Sequence, residues 1–202
     1  MKNKIIFHSG IEQGSQEWFD LKNSKFSSSE IESLCKPKGL GVGGLTYIDK
    51  KVAEYLTNKH TEIKVFAMEW GKYHEPIAKL FYENASDVKI QDVAFVENPL
   101  YPNCGVSPDG IIFKDRVGFE IKCPETGANH VKHLSIKNQT DLKKINPKYY
   151  WQIMFCMLIT GFEKWKFISF HPHFILHKDL KMYEVDIYYN QTDIDLLIDR
   201  IG

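Results

Sequence analysis

No two cysteines stand at the two-residue spacing of metal knuckles and redox motifs; Cys35, Cys104, Cys123 and Cys156 lie far apart. That scatter disfavours a disulfide framework and a cysteine zinc site, and reduced, partly buried thiols of a cytoplasmic protein are expected instead. No stretch approaches the roughly 20 apolar residues that span a membrane. The apolar run near the start, Ile5 to Phe7, is too short for the core of a signal peptide. Net charge is missing too, since 26 basic residues balance 26 acidic ones. This excludes a uniformly cationic coat and leaves room for a local basic stripe. There is no internal repeat and no low-complexity segment. The glycine-rich KPKGLGVGG at 36–44 lacks the Gly-Lys-Ser/Thr ending of a phosphate-binding loop. What is present, 202 residues of which 43% are hydrophobic and 13% aromatic, suits one well-formed core, a single domain over residues 1–202.

Periodicity and breakers then divide the chain. A short helix is expected around Trp18 and Leu21, followed by a serine run in which Ser28 or Ser29 would cap a helix from Glu30 to Cys35. A helix is expected from Thr46 to Asn58. In FAMEWGKYHEPIAKLFYEN, residues 66–84, Trp70, Tyr73, Ile77 and Leu80 recur at helical spacing as a core face. Met68, Gly71, Glu75, Ala78 and Tyr82 form the neighbouring stripe, where small residues flank Glu75 and would let another element approach it. Pro76 is expected to kink this helix or to begin a new one. Strands are expected in VKIQDVAFVE (88–97), GIIFK (110–114) and VGFEIKC (117–123). A helix lies within 128–137, and a longer one runs from Lys148 to Thr160 with Gly161 to end it. WKFISFHP and MYEVDIYY read as strands, and TDIDLLIDRI as a closing amphipathic helix. The fold class expected is α/β, a central mixed sheet flanked by helices.

The stretch SPDGIIFKDRVGFEIKCPE, residues 107–125, sets an Asp, a Glu and a Lys among strand-forming residues. Side chains alternate along a strand, so Glu120 and Lys122 share a face. A two-residue connection at Asp115 and Arg116 would make 110–114 and 117–123 an antiparallel hairpin that sets Asp109 near Lys122. A bulge or bend would then be needed to bring Asp109 beside Glu120. One reading is an ion pair on a solvated hairpin face. The other is two carboxylates and an ammonium converging at the mouth of a sheet, a donor set suited to a hard cation such as Mg²⁺. The second is favoured because the intervening Val117, Phe119, Ile121 and Cys123 are apolar, Ser-Pro-Asp-Gly is a rigid turn, and Pro124 closes the strand.

Other features weigh less. His171 and His173, across Pro172, fit a strand end better than a metal site. His74 and Glu75 lack the spacing of a zinc protease helix. Trp165, Phe167 and Phe170 are assigned to the core rather than to base stacking. Lys132, Lys137, Lys143, Lys144 and Lys148 face a single acid, Asp141, and make either a solvated connection or a path for nucleic-acid phosphates.

Four ordered motifs carry a family resemblance. V-S-P-D-G followed by G-F-E-I-K-C-P resembles the core of the PD-(D/E)xK nucleases, and more closely their lambda exonuclease, or YqaJ-like viral recombinase, branch. WGKYHEPIAKLFY resembles that branch's G-x-x-x-E-x-x-A-x-x-x-Y helix, YYWQIMFCMLITG its Y-x-x-Q helix, and EWFDLKNSKFSSS its tryptophan-bearing opening segment. The resemblance implies a restriction-endonuclease-like PD-(D/E)xK core. It also implies a Mg²⁺-dependent 5′→3′ exonuclease that degrades linear duplex DNA to 3′ overhangs for phage-type single-strand annealing. In that picture Asp109, Glu120, the Ile121 carbonyl and Glu75 hold two Mg²⁺, with Mn²⁺ able to substitute. Lys122 and Gln152 complete the catalytic set, and Tyr149 is a DNA- or 5′-phosphate-binding residue. Lys22, Ser29 and Ser107 hold a 5′-phosphate. Lys22 stands where the branch usually has arginine, and Ala128 where a second phosphate-binding arginine is found, so His130 or Lys132 would take over that contact. Implied partners are double-stranded DNA ends, a single-strand annealing protein and further copies in a homotrimeric ring, without a membrane. The implied setting is the cytoplasm of a bacterial host, with the gene phage or prophage encoded. Competing readings are a structure- or sequence-specific endonuclease, and a non-catalytic DNA-binding module on the same fold. A Cas4-like enzyme is disfavoured, because its four-cysteine cluster has no counterpart in the scattered cysteines.

Overall fold

A computed structural model of the chain describes residues 4–36, 39–58 and 66–202. Pro37 and Lys38, within the loop expected at 36–44, lie outside the described residues. The elements follow in the order β1 (Ile6–His8), α1 (Gln16–Lys22), β2 (Phe26–Ser27), a 3-10 turn (Ile31–Leu34), α2 (Gly41–Thr57) and α3 (Phe66–Ser86). Four strands come next, β3 (Phe95–Glu97), β4 (Cys104–Val106), β5 (Gly110–Ile112) and β6 (Val117–Lys122). Three helices, α4 (Gly127–Leu134), α5 (Gln139–Ile145) and α6 (Pro147–Thr160), lead to β7 (Lys164–Phe170). The chain closes with a second 3-10 turn (Lys178–Leu180), β8 (Met182–Tyr188) and α7 (Gln191–Ile201).

Short polar side chains start most of these helices by accepting orphan amide protons. Ser15 accepts from the Trp18 amide, Thr126 from Asn129, Asn138 from Thr140 and Asp141, and Asn190 from Asp193. Helix α6 begins at Pro147, whose missing N–H is no loss in a first turn, and stops at Gly161, which takes φ +67°. The expected serine cap before residue 30 does not form: Glu30 holds the cap position without a side-chain bond, and only a 3-10 turn follows. Helix α2 starts five residues earlier than expected, at Gly41.

The strands form two mixed four-stranded sheets, β1-β3-β4-β2 and β5-β6-β7-β8, each with one parallel pair. An antiparallel bridge between Gln91 and Ile111 joins the approach to β3 with β5. The parallel β6–β7 pair is connected through α4, α5 and α6, as a parallel pairing requires. Its register brings Trp165 across from Gly118, where a Cβ would stand 2.3 Å from the indole ring. Helix α6 is buried continuously from Tyr150 to Thr160, and its core cluster reaches Val96 and Val106 of one sheet and Phe167, Val185 and Ile187 of the other. This is a mixed β core flanked by helices, the restriction-endonuclease-like architecture expected from the sequence. Among the described residues, no helix is long and apolar enough to cross a membrane.

Helix α3 corrects the expected core face. Its buried residues are His74, Ala78 and Tyr82, whereas Tyr73 is 71% and Leu80 57% exposed. Ala78 and Tyr82 pack on the Val117–Phe119–Ile121–Cys123 face of β6 and beyond, with the Tyr82 and Phe119 rings edge to face, 5.3 Å between centroids. Small Ala78 permits that close approach, so the stripe containing Glu75 faces inward and the more apolar one faces out. Nor does Pro76 break the helix, which runs through it. Pro76 lies on the exposed side, where water can satisfy the carbonyl left without its N–H partner.

Candidate active site

The turn after β5 sets the geometry. Arg116 takes φ +53°, its N–H bonds the Phe113 carbonyl at 3.2 Å, and the connection spans four residues, 113–116. The pairing is therefore Gly110 with Phe119, Ile111 with Gly118 and Ile112 with Val117. This shifts the expected register, so Asp109 lies across from Glu120 without any bulge. The Asp109 N–H donates to the Phe119 carbonyl at 3.2 Å, and the Ile121 N–H donates to Asp109 Oδ2 at 2.6 Å. Asp109 is thereby fixed by the strand on which Glu120 and Lys122 sit.

Glu120 is 0% exposed, and its Oε1 forms an ion pair with Lys122 Nζ. Beyond that pair, neither carboxylate oxygen has a hydrogen-bond partner among the described residues. Burial pushes the Glu120 carboxyl well up, Lys122 opposes that, and Asp109 and Glu75 add to it. Burial alone would lower the Lys122 ammonium, but Glu120, Asp109 and Tyr149 outweigh it and hold the proton on. Glu75 reaches the same group from α3. Burial and then the Asp109 charge raise its carboxyl from 4.5 to about 7, against Lys79, whose Nζ lies 3.1 Å from Glu75 Oε1. Lys79 also pairs with Asp92 at 3.0 Å.

A fully buried carboxylate with one cationic partner and Oε2 left without a donor, beside two further acids, is an unfavourable arrangement that a hard cation would relieve. The donor set of Asp109, Glu120, Glu75 and the Ile121 carbonyl therefore fits such an ion chemically. As the side chains stand, no group of three or more His, Cys, Asp or Glu among the described residues is gathered to hold a metal.

Helix α6 covers the Glu120 face. The Tyr149 ring lies 5.0 Å from Lys122 Nζ and stacks on Phe167 at 5.9 Å. Gln152, one turn later, is buried on the same helix. Cys156, a further turn on, is fully buried, and burial together with the Glu120 charge pushes its thiol up. The structure thus sets Tyr149 against Lys122, with Gln152 buried one turn on along the same helix.

The expected phosphate residues divide into two groups. Trp18 Nε1–H is shared between the Ala94 carbonyl and Ser107 Oγ, both at 3.0 Å, and Lys22 Nζ stands 4.4 Å from the Trp18 ring. Strands β2 and β4 run parallel with Ser27 across from Gly105, so Ser29 and Ser107 leave the same end of that sheet. Lys22, Ser29 and Ser107 are in this way brought to one edge. His130 is not a surface group. It is 0% exposed, with Nδ1 2.8 Å from Ser169 Oγ and Nε2 2.7 Å from the Leu180 carbonyl, so no nitrogen is left for a phosphate. Lys132 is exposed on α4. Within the lysine stripe, Lys143 is committed to Asp193, at 2.7 and 2.8 Å from its two oxygens. Residues 139–145 form α5 rather than a loop.

Sequence reasoning missed Ser169 and His133. Ser169 lies across from Lys122 in the β6–β7 register, and its Oγ is 2.8 Å from His133 Nδ1. Strand alternation from Phe167 could have flagged Ser169, because it is the polar residue on the face that Glu120 and Lys122 share.

Comparison with known proteins follows this geometry. A family model described as the YqaJ-like viral recombinase domain matches residues 17–163. No curated protein sequence gives a significant match. Among solved structures, the alkaline exonuclease LHK-Exo from Laribacter hongkongensis superimposes with a TM-score of 0.78 at 24% identity, over 93% of this chain and 89% of that one. LHK-Exo in complex with dAMP gives 0.79 at the same identity and coverage. A phage related exonuclease from Haemophilus somnus gives 0.71 at 12% identity, over 89% and 91%. These likenesses establish a shared fold.

Proposed function

Because the chain belongs to the YqaJ-like viral recombinase domain family, we propose that it is a divalent-cation-dependent nuclease that digests linear duplex DNA 5′→3′ from its ends. The reading takes residues 1–202 as one nuclease domain. The observation that carries it is the buried Glu120 carboxylate, paired through Oε1 with Lys122, with no donor to Oε2 among the described residues, and flanked by Asp109 and Glu75. Structural ion pairs seldom leave an oxygen of a buried carboxylate without a donor.

Two Mg²⁺, or Mn²⁺ in their place, held by Asp109, Glu120, the Ile121 carbonyl and Glu75, would supply Lewis acidity that activates water and offsets charge on the leaving oxygen. The protein's own groups do the rest. Asp109 is held by the Ile121 amide, so its carboxylate is preorganised rather than recruited. Lys122 keeps a proton at Nζ under the Tyr149 ring, and places that positive charge where phosphate charge builds up. Gln152, buried one turn beyond Tyr149, orients water or the scissile phosphate. Lys22, Ser29 and Ser107 receive the 5′-phosphate at the sheet edge, with lysine giving a point charge in place of a bidentate fork. Lys132, Lys144 and Lys148, all exposed, line the approach of the DNA backbone.

The product would be a 3′ overhang for a single-strand annealing protein in the cytoplasm of a bacterial host, from a phage or prophage gene. Exposed apolar residues on α2 (Leu45, Tyr55, Leu56) and α3 (Tyr73, Leu80) suit protein contacts, and further copies in a trimeric ring would cover part of them.

The test uses linear 5′-phosphorylated duplex, linear 5′-hydroxyl duplex and closed circular duplex with Mg²⁺. Both linear forms should be digested, the 5′-phosphorylated one faster, while the circle survives. Cleavage of the circle would overturn the exonuclease reading, and inactivity on all three with Mg²⁺ and Mn²⁺ would overturn the nuclease reading.

A further inference from the structure

Behind Lys122 lies a buried polar chain that the proposed chemistry does not use. Ser169, His130 and His133 are all buried, and Ser169 Oγ lies 2.8 Å from His130 Nδ1 and 2.8 Å from His133 Nδ1. The far end is decided by main chain: His130 Nε2 lies 2.7 Å from the Leu180 carbonyl. A carbonyl only accepts, so His130 carries its proton on Nε2. Burial favours the neutral ring, so His130 Nδ1 is a bare lone pair and accepts the Ser169 O–H. With that single hydroxyl proton used, Ser169 Oγ can only accept from His133, whose proton therefore lies on Nδ1. The two imidazoles hold opposite tautomers, and His133 Nε2 is left as a lone pair. Among the described residues no protein donor meets it, and it is not one of the atoms sealed from solvent without a partner.

The His133 ring stands beside the site. The His133 ring packs edge to face on Tyr149 at 5.9 Å and on Phe167 at 5.4 Å, and Tyr149 in turn lies over Lys122. The charged and titratable groups acting on His133 are His130, Lys122 and Lys132, and all of them favour an uncharged ring. We propose that the His130–Ser169–His133 chain makes His133 a positioning residue for Lys122, by fixing a neutral hydrogen-bond acceptor in the wall over the lysine. An acceptor there takes a hydrogen bond from the Lys122 ammonium through one water and aims it, whereas a cation there would repel it. The functional meaning of this rests on the nuclease reading; the tautomers do not.

The experiment therefore has two arms. In the intact protein labelled with ¹⁵N-histidine, long-range ¹H–¹⁵N spectra at pH 7 should show His130 protonated on Nε2 and His133 on Nδ1. His133 protonated on Nε2, or on both nitrogens, would overturn the proposal without any variant being made. In the second arm, His133→Asn keeps a donor toward Ser169 and removes Nε2, and Ser169→Ala releases the tautomer. Each should lower kcat about tenfold with KM unchanged, and Ser169→Thr, which keeps the hydroxyl, should restore it. An unchanged kcat in His133→Asn and Ser169→Ala would overturn the positioning role while the nuclease reading stands. An inactive wild-type protein would instead overturn that reading and the role together, and the spectrum would still decide the tautomers.

Discussion

Asp109 has two separable duties, and replacing it by alanine and by asparagine pulls them apart. Its carboxylate accepts the Ile121 N–H at 2.6 Å, and its charge raises both Glu75 and Glu120. Both substitutions remove the charge, so any difference between them reports the hydrogen bond. Alanine leaves a strand amide without its acceptor, at a cost of about 1–3 kcal/mol. At about 2–4 °C per kcal/mol for a chain of this size, Asp109→Ala should melt some 2–12 °C below Asp109→Asn. In EDTA, Asp109→Asn should be at least as stable as the wild type, because relief of repulsion lets Glu75 ionise more easily and the amide oxygen still accepts from Ile121. A divalent cation at about 100 times its Kd would stabilise the wild type by about 2.7 kcal/mol, and either variant by much less. The assay is thermal or urea unfolding with and without Mg²⁺, alongside digestion of linear duplex, which both variants should lose. Equal stability of the two variants would refute the register that places Asp109 against Ile121. An equal Mg²⁺ gain in variants and wild type would refute Asp109 as a ligand.

Two further outcomes follow from the electrostatics. Asp193 is buried and accepts from Lys143 at 2.7 Å and from the Tyr150 hydroxyl at 2.5 Å, so Asp193→Ala should cost about 2–4 kcal/mol in urea unfolding, less than a fully buried pair because Lys143 is half exposed; a loss under 1 kcal/mol would show that α7 docks without it. His133 is lowered from 6.5 to about 4 by burial first, so the native state resists a proton that the unfolded chain takes up. Its contribution is complete above about pH 6.5 and is lost as pH falls toward 4, by about 3 kcal/mol before solvent screening and roughly 2 after it. Unfolding free energies from pH 7 to 4 should fall less steeply in His133→Gln, and an identical slope would remove His133 from the account.

The sequence was most informative where chemistry and strand grammar coincide. Asp109, Glu120 and Lys122 announced themselves as charges among apolar strand residues, and Glu75 as an acid on the small-residue stripe of a helix. Gly161 marked the end of α6 for steric reasons that hold in any context. Other features depended on terms that no local pattern carries. Two stripes of α3 have helical spacing, and only packing on β6 decides that Ala78 and Tyr82, not Tyr73 and Leu80, face in. The hairpin register turned on Arg116 adopting a left-handed backbone, which a non-glycine residue does not advertise. His130 looked available for phosphate because its partners, Ser169 and the Leu180 carbonyl, are supplied by segments 39 and 50 residues away.

Helix α6 has a consequence for how the protein can fail. Its first turns set Tyr149 against Lys122, while its remaining length, buried from Tyr150 to Thr160, packs against both sheets. A wall made of a central core helix does not open by a local excursion of the kind that loosens surface loops. Loss of the candidate site on heating or in denaturant is therefore expected to coincide with loss of the fold.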